Sequence, residues 1–148
     1  AAKFAVRYPE KVDKLVLISP AGIGSQNKSF LFIALFHMLF GEKGIKKLFR
    51  IINGNVDMPE VIFRFQILIG KNFNTRKEHI PIFSDEQLRC LTMPVFLYVG
   101  AKDVMIKSME TVERLKKLVP HTKVNILPEG GHSLINLTDT IFEQIHSL

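Results

Sequence analysis

Pro94-Val95-Phe96-Leu97-Tyr98-Val99-Gly100-Ala101-Lys102-Asp103 is the stretch on which the fold reading turns. Val95 to Val99 is an unbroken apolar run, β-branched and aromatic, too short for a helix and closed by a glycine. Such a run fits a strand covered on both faces of a parallel sheet. A second run resembles it, Leu15-Val16-Leu17-Ile18, which ends in Ser19-Pro20-Ala21-Gly22, and Val124 to Leu127, which ends in Pro128-Glu129-Gly130-Gly131-His132-Ser133, reads as a third strand. Between the second and third strands, Met109, Val112, Leu115 and Leu118 recur at helical spacing, with Glu113, Lys116 and Lys117 off that face. Pro120 ends this helix. Strand, helix, strand in that order predicts a parallel βαβ unit.

Outward from this unit, Ala1 to Tyr8 reads as the end of a helix with Ala1, Ala5 and Tyr8 on one face, stopped by Pro9. A chain that opens inside a helix and without an initiator Met leads us to expect that it begins within a larger protein. Ile141, Phe142 and Ile145 mark a closing helix. From Ser25 to Thr92 no strand pattern occurs. Ile45, Leu48, Phe49 and Ile52 form one helical stripe, with Gly54 as its stop. Asp57 and Glu60 have capping-box spacing with Pro59 in the first turn, and Val61, Phe65, Leu68 and Ile69 form a second stripe, ended by Gly70. Ser84 and Gln87 give another box for a short helix through Leu91. The expected organisation is a core segment at 1–24, a helical insert or cap at 25–92, and a second core segment at 93–148. The fold class is α/β, with three parallel strands.

The composition fits a folded domain: of 148 residues, 47% are apolar and 23% charged, which excludes a disordered chain. The net charge is +6, with ten bases and six acids between 25 and 92. Scattered lysines without interleaved aromatics match no nucleic-acid motif, so they read as a solvated helix surface. The longest apolar run, Phe30 to Phe40, is 11 residues and contains His37. A membrane span needs about 18 or more, so none is expected. Cys90 is the single cysteine. It can form no internal disulfide, which suits a reducing, cytoplasmic setting, and it reads as a packing residue. His37, His79, His121 and His146 have no metal-ligand spacing with one another or with Cys90. Gly41-Glu42-Lys43-Gly44 is too short for a phosphate loop. Neither a metal nor a cofactor is expected.

Two residues carry the chemistry. Asp103 lies just past the second strand and His132 just past the third. In open parallel sheets, ligands bind in the crevice beyond the carboxyl ends of the strands. Neighbouring parallel strands separated by one crossover would bring these two side chains together. Glycines before each allow sharp turns and close approach. An Asp that accepts a hydrogen bond from imidazole fixes the tautomer and stabilises the cation.

Three stretches resemble the α/β-hydrolase superfamily, in particular its esterase-like members with a helical cap. Ala1 to Val12, running into Leu15 to Pro20, is similar to the helix after the nucleophile elbow and the strand that follows. Pro94 to Asp103 is similar to the strand that delivers the catalytic acid. Asn125 to Ser133 is similar to the strand and loop that deliver the catalytic histidine. The order in that family is Ser, then Asp or Glu, then His. Here G-x-S-x-G occurs nowhere, and Gly22-Ile23-Gly24-Ser25 has the wrong spacing. The resemblance implies a nucleophilic serine shortly before Ala1 and an oxyanion-hole loop earlier still. Some members take the acid from the preceding strand. Ser19-Pro20-Ala21 offers no carboxylate there, which favours Asp103.

The resemblance therefore implies that the chain is the C-terminal part of a serine hydrolase acting on carboxylic esters, with Asp103 and His132 catalytic and the chain inactive alone. The substrate would be a small, mainly apolar ester. Phe36, on the most apolar segment, and Val104, next to the acid, are the candidate substrate contacts, among cap phenylalanines at 30, 32, 36, 40, 49, 63 and 65. Cap tyrosines of the epoxide-hydrolase kind are missing: the tyrosines are Tyr8 and Tyr98. Two alternatives stay open: a non-catalytic binding protein of the same fold, and a hydrolase of thioesters, C–C bonds or peptides. An apolar strand edge at Leu15 to Ile18 predicts self-association or association with the missing N-terminal half.

Overall fold

The computed structural model describes residues 1–73, 80–134 and 137–146. Its centre is a parallel sheet of three strands, β1 (Leu15–Ile18), β2 (Val95–Gly100) and β3 (Lys123–Leu127), in the order β1-β2-β3. Leu15 lies opposite Val95 and Ile18 opposite Tyr98; Phe96 lies opposite Lys123 and Gly100 opposite Leu127. The helices are α1 (Ala2–Arg7), α2 (Ser29–Met38), α3 (Gly41–Ile52), α4 (Glu60–Asn72), α5 (Asp85–Arg89), α6 (Ser108–Leu118) and α7 (Thr138–His146).

Every residue of β2 is buried, as its apolar run requires. Val95, Leu97 and Val99 join Leu15 and Leu17 in one cluster with Val112, Leu115 and Leu118 of α6, Ala5 of α1, and Leu88 and Leu91. Side chains as enclosed as Leu97 and Leu115 each stabilise the fold by roughly 1.5–3 kcal/mol. On the opposite face, the Tyr98 hydroxyl donates to Gln144 Oε1 at 2.5 Å and so ties β2 to α7. Burial pushes the Tyr98 phenol above its ordinary pKa.

Several expectations need correction. β1 is covered on one face only: Leu15 and Leu17 are buried, whereas Ile18 is 46% exposed. Among the described residues no strand pairs with its other edge. In α1 the face against the core is Ala2, Ala5 and Val6, and Ala1 is exposed. In α6, Met109 points outward while Thr111 joins Val112, Leu115 and Leu118 inside.

The helices between β1 and β2 depart most. Asp57 and Glu60 do not cap α4, whose N-cap is Pro59. Asp57 instead faces Arg50 at 3.5 Å, and Glu60 pairs with Lys46 at 2.8 Å and Arg64 at 3.2 Å. The buried residue of α4 is Phe63, which meets the ring of Phe49 edge-on; Val61, Phe65 and Leu68 of the expected stripe are exposed. α4 runs through Asn72 and does not stop at Gly70. The Ser84 box forms as read, with both reciprocal bonds to Gln87, although α5 ends at Arg89. His79 lies outside the described residues, as does the side chain of Ile145.

Candidate active site

Asp103 and His132 both emerge at the carboxyl end of the sheet. Gly100 is the last residue of β2, and Asp103 follows in a turn where the Asp103 amide donates to the Gly100 carbonyl at 3.3 Å. Gly100 is needed because a Cβ there would collide with the carbonyl oxygens of Gly130 and Gly131. The two loops thus pass at backbone contact. Ala101 N–H donates to Leu127 O and Lys102 N–H to Gly130 O, both at 2.9 Å, and the Lys102 ammonium pairs with Glu129.

This apposition places His132 Nδ1 at 2.8 Å from Asp103 Oδ2. The Asp103 side chain is 1% exposed. Its other oxygen, Oδ1, accepts from the backbone N–H of Met105 at 2.7 Å and of Ile106 at 3.0 Å. Three hydrogen bonds to one enclosed carboxylate fix its position. A carboxylate can only accept, so the imidazole proton belongs on Nδ1 and Nε2 is the free acceptor. The His132 side chain is 27% exposed, which leaves it accessible from outside. The arrangement can take up a proton at Nε2 and hold the resulting imidazolium against Asp103.

A third element supports the pair. The carbonyl of Ile52, the last residue of α3, accepts from His132 N–H at 2.7 Å. Gly54 follows with φ +72°, and a Cβ on it would strike Glu129 O and Gly131 N. On the acid side, residues 25–27 run antiparallel to 105–107: Asn27 N–H donates to Met105 O at 2.9 Å and Lys107 N–H to Ser25 O at 3.1 Å. Ser25 also donates from its N–H and hydroxyl to the Glu110 carboxylate, at 3.0 and 2.7 Å, which holds Glu110 below the usual carboxylate range. One turn on, the Arg114 guanidinium donates to Ile23 O at 2.5 Å, Phe83 O at 2.6 Å and Asp85 Oδ1 at 2.7 Å, and it lowers the Asp85 pKa.

The other sequence-predicted contacts lie differently. Val104 is half-buried within the Asp103 turn. Phe36 is exposed on α2, edge-on to His37 and Phe40, in a depression shared with Lys43, Gly44 and Lys47 that does not include the Asp103–His132 pair. Ser19 follows β1 at φ +41°, buried, with no partner for its hydroxyl among the described residues. No cluster of His, Cys, Asp and Glu suited to a metal occurs among the described residues. Glu110 and Arg114 were not found from the sequence, and Gly54 was read only as a helix stop, not as a contact of the His132 loop. The signal for the first two was a second helical stripe, at 107, 110, 111 and 114.

This sheet order, the long helical insert after its first strand, and an Asp and a His beyond the next two strands define the C-terminal part of an α/β-hydrolase fold. Among proteins of that fold the chain is similar to carboxylesterases. It is 26% identical over 141 residues to carboxylesterase YbfK of Bacillus subtilis, a match covering 88% of this chain and 47% of that protein. The crystal structure of the same esterase, CesB (YbfK), superposes with a TM-score of 0.76 at 24% identity, over 99% of this chain and 54% of that one. Naproxen esterase of Bacillus subtilis gives a TM-score of 0.77 at 22% identity, with 99% and 54% coverage. A meta-cleavage product hydrolase of Pseudomonas fluorescens gives 0.68 at 19%, with 97% and 58% coverage. The chain thus spans about half the length of the relatives it matches. No protein-family model matches it. No helix among the described residues is long and apolar enough to cross a membrane.

Proposed function

We propose that the protein carrying this chain is a serine hydrolase of carboxylic esters, in which Asp103 and His132 are two members of the triad. The observation that carries the reading is the buried Asp103 carboxylate at 2.8 Å from His132 Nδ1, with Nε2 left free. The similarity to two bacterial carboxylesterases supports the choice of ester over other acyl substrates. The nucleophilic serine and the oxyanion hole are contributed by polypeptide outside these 148 residues, so the chain alone does not hydrolyse esters. In the whole protein, His132 Nε2 takes the serine proton as the carbonyl is attacked, then returns it to the leaving alkoxide. Asp103 keeps Nδ1 protonated and stabilises the imidazolium between the two transfers.

The segment 25–92 acts as a cap. Its exposed phenylalanines, Phe36 among them, and Val104 beside the acid give the substrate apolar contacts. The free thiol of Cys90 suits a cytoplasmic setting. Hydrolysis of a short-chain aryl ester by the whole protein tests the reading. His132→Ala should lower kcat on the order of 10⁴-fold or more. A His132→Ala protein with near-normal turnover would end it.

A further inference from the structure

We propose that the inserted helices position the catalytic pair: the 25–27 strap, latched by Glu110, holds the Asp103 turn, and the C-terminal end of α3, closing on Gly54, holds the His132 loop. The insert also meets the core through Phe83, Asp85, Leu88 and Leu91, but two of its contacts lie one beside each partner. At the first, Ser25 and Asn27 exchange backbone bonds with Lys107 and Met105. Met105 and Ile106 are the residues whose amides grip Asp103 Oδ1. A displaced strap therefore drags the amides that fix the carboxylate. At the second, Ile52 O accepts the backbone N–H of His132 itself, and Gly131 packs on the 52–54 backbone too closely for any side chain.

α6 is the rail that makes the strap rigid. Thr111 presses on Gly24, where a Cβ would not fit; Arg114 reaches Ile23 O; Glu110 receives both donors of Ser25. These residues fall at helical spacing on one side of α6, and the same helix begins four residues after Met105 's neighbour Val104. Charged groups near the latch are Lys107, at 3.6 Å from Glu110 Oε2, and Arg114 one turn further on. Glu110 is thus a positioning residue: it reaches no reacting atom and acts through Ser25 and the 105–106 amides.

This inference rests on the ester-hydrolase reading only for its effect on turnover, since the pair's geometry is readable without substrate. The experiment compares Glu110→Ala, Glu110→Gln and Ser25→Ala in the whole protein. One readout is the downfield proton-NMR signal of the His132 Nδ1–H, identified by its loss in His132→Gln. The other is kcat against KM for an aryl ester. Glu110→Ala should broaden or abolish the signal and lower kcat about ten-fold or more at little changed KM, as expected when a catalytic group is misplaced. Glu110→Gln keeps an acceptor for Ser25 and loses the charge, so it should restore both. Ser25→Ala, which keeps its N–H bond, should fall between. If Glu110→Ala lowers Tm while signal and kcat stay normal, the latch is structural only and the inference fails. If Glu110→Gln behaves like Glu110→Ala, the effect is that of charge and the inference also fails. A protein that shows the signal and its loss in Glu110→Ala but hydrolyses no ester would sustain the positioning and sink the ester reading.

Discussion

Replacing Asp103 by Asn separates what this side chain does for chemistry from what it does for the fold. Asn keeps the volume and the carbonyl oxygen, so the amides of Met105 and Ile106, at 2.7 and 3.0 Å, retain their acceptor. The other atom changes character: an NH₂ now faces His132 Nδ1 across a 2.8 Å gap built for a donor meeting a carboxylate. Two N–H groups cannot share it, so the imidazole moves its proton to Nε2. That nitrogen then has no lone pair for the serine proton. The expected loss in kcat is about 10⁴-fold, or about 5.5 kcal/mol of transition-state stabilisation. Since all three hydrogen bonds survive with roles exchanged, stability should change by about 1 kcal/mol or less. Asp103→Ala strands two backbone amides and the ring, and should cost about 2–4 kcal/mol. The assay is kcat for an aryl ester alongside urea unfolding of the same preparations. The Asn variant should be inert and stable, and the Ala variant inert and unstable. An Asn variant that kept more than about a tenth of kcat would refute the proton bookkeeping. One as unstable as Ala would refute the geometry of the turn.

Arg114→Ala removes donors from two backbone carbonyls and from Asp85, and should destabilise by about 2–3 kcal/mol in urea unfolding. Arg114→Lys should recover less than half, because one ammonium cannot reach three acceptors in a fork. Tyr98→Phe should cost about 1 kcal/mol through its bond to Gln144. Asp85 and Glu110 both have pKa values lowered in the fold, so their contribution is complete above the ordinary carboxylate range and is lost as pH falls through their folded values. Tm should therefore hold between pH 7 and 6 and drop below about pH 4.5, less steeply in Arg114→Ala. With one edge of β1 unpaired and Ile18 open, the isolated 148-residue chain should associate at micromolar concentration in light scattering; a clean monomer of 16.9 kDa would contradict that.

β1 and β2 were legible because each is a short apolar run, and a fully enclosed strand such as β2 leaves no polar alternation to mislead; β3, Lys123-Val124-Asn125-Ile126-Leu127, is mixed and not buried, and was marked by its place before Pro128 and the Gly130-Gly131 turn. The Ser84 box was legible because both of its bonds are local. Asp57 and Glu60 had the same spacing and did not cap, since Arg50, Lys46 and Arg64 compete for their carboxylates and lie on other turns or helices. The stripe of α4 was misread for a related reason. Apolar periodicity says that a face exists, not that anything covers it, and here Phe63 on another face is the residue enclosed. Position after neighbouring strands, together with the family resemblance, was enough to bring Asp103 and His132 into one site, where they meet at 2.8 Å. The backbone contacts beside them were not legible: Ile52 contributes its carbonyl and Ser25 partly its N–H, groups that almost every residue type carries, so nothing in the letters marks them.

The backbone character of these contacts shapes how such a protein can change over generations. The bonds that anchor the insert at Ser25, Asn27 and Ile52 run largely through backbone atoms, and the glycines demand only the absence of a side chain. Between the anchors, residues 28–51 form a hairpin of α2 and α3 whose outward side chains make no demand on the proton-transfer machinery. On the proposed reading, substitutions there would alter substrate preference while the two attachment points would keep the Asp103–His132 distance. Random mutagenesis confined to residues 28–51 should yield a library that still folds and shifts its preference among substrates, whereas the same mutational load on 23–27, 52–54 or 100–106 should mostly extinguish it.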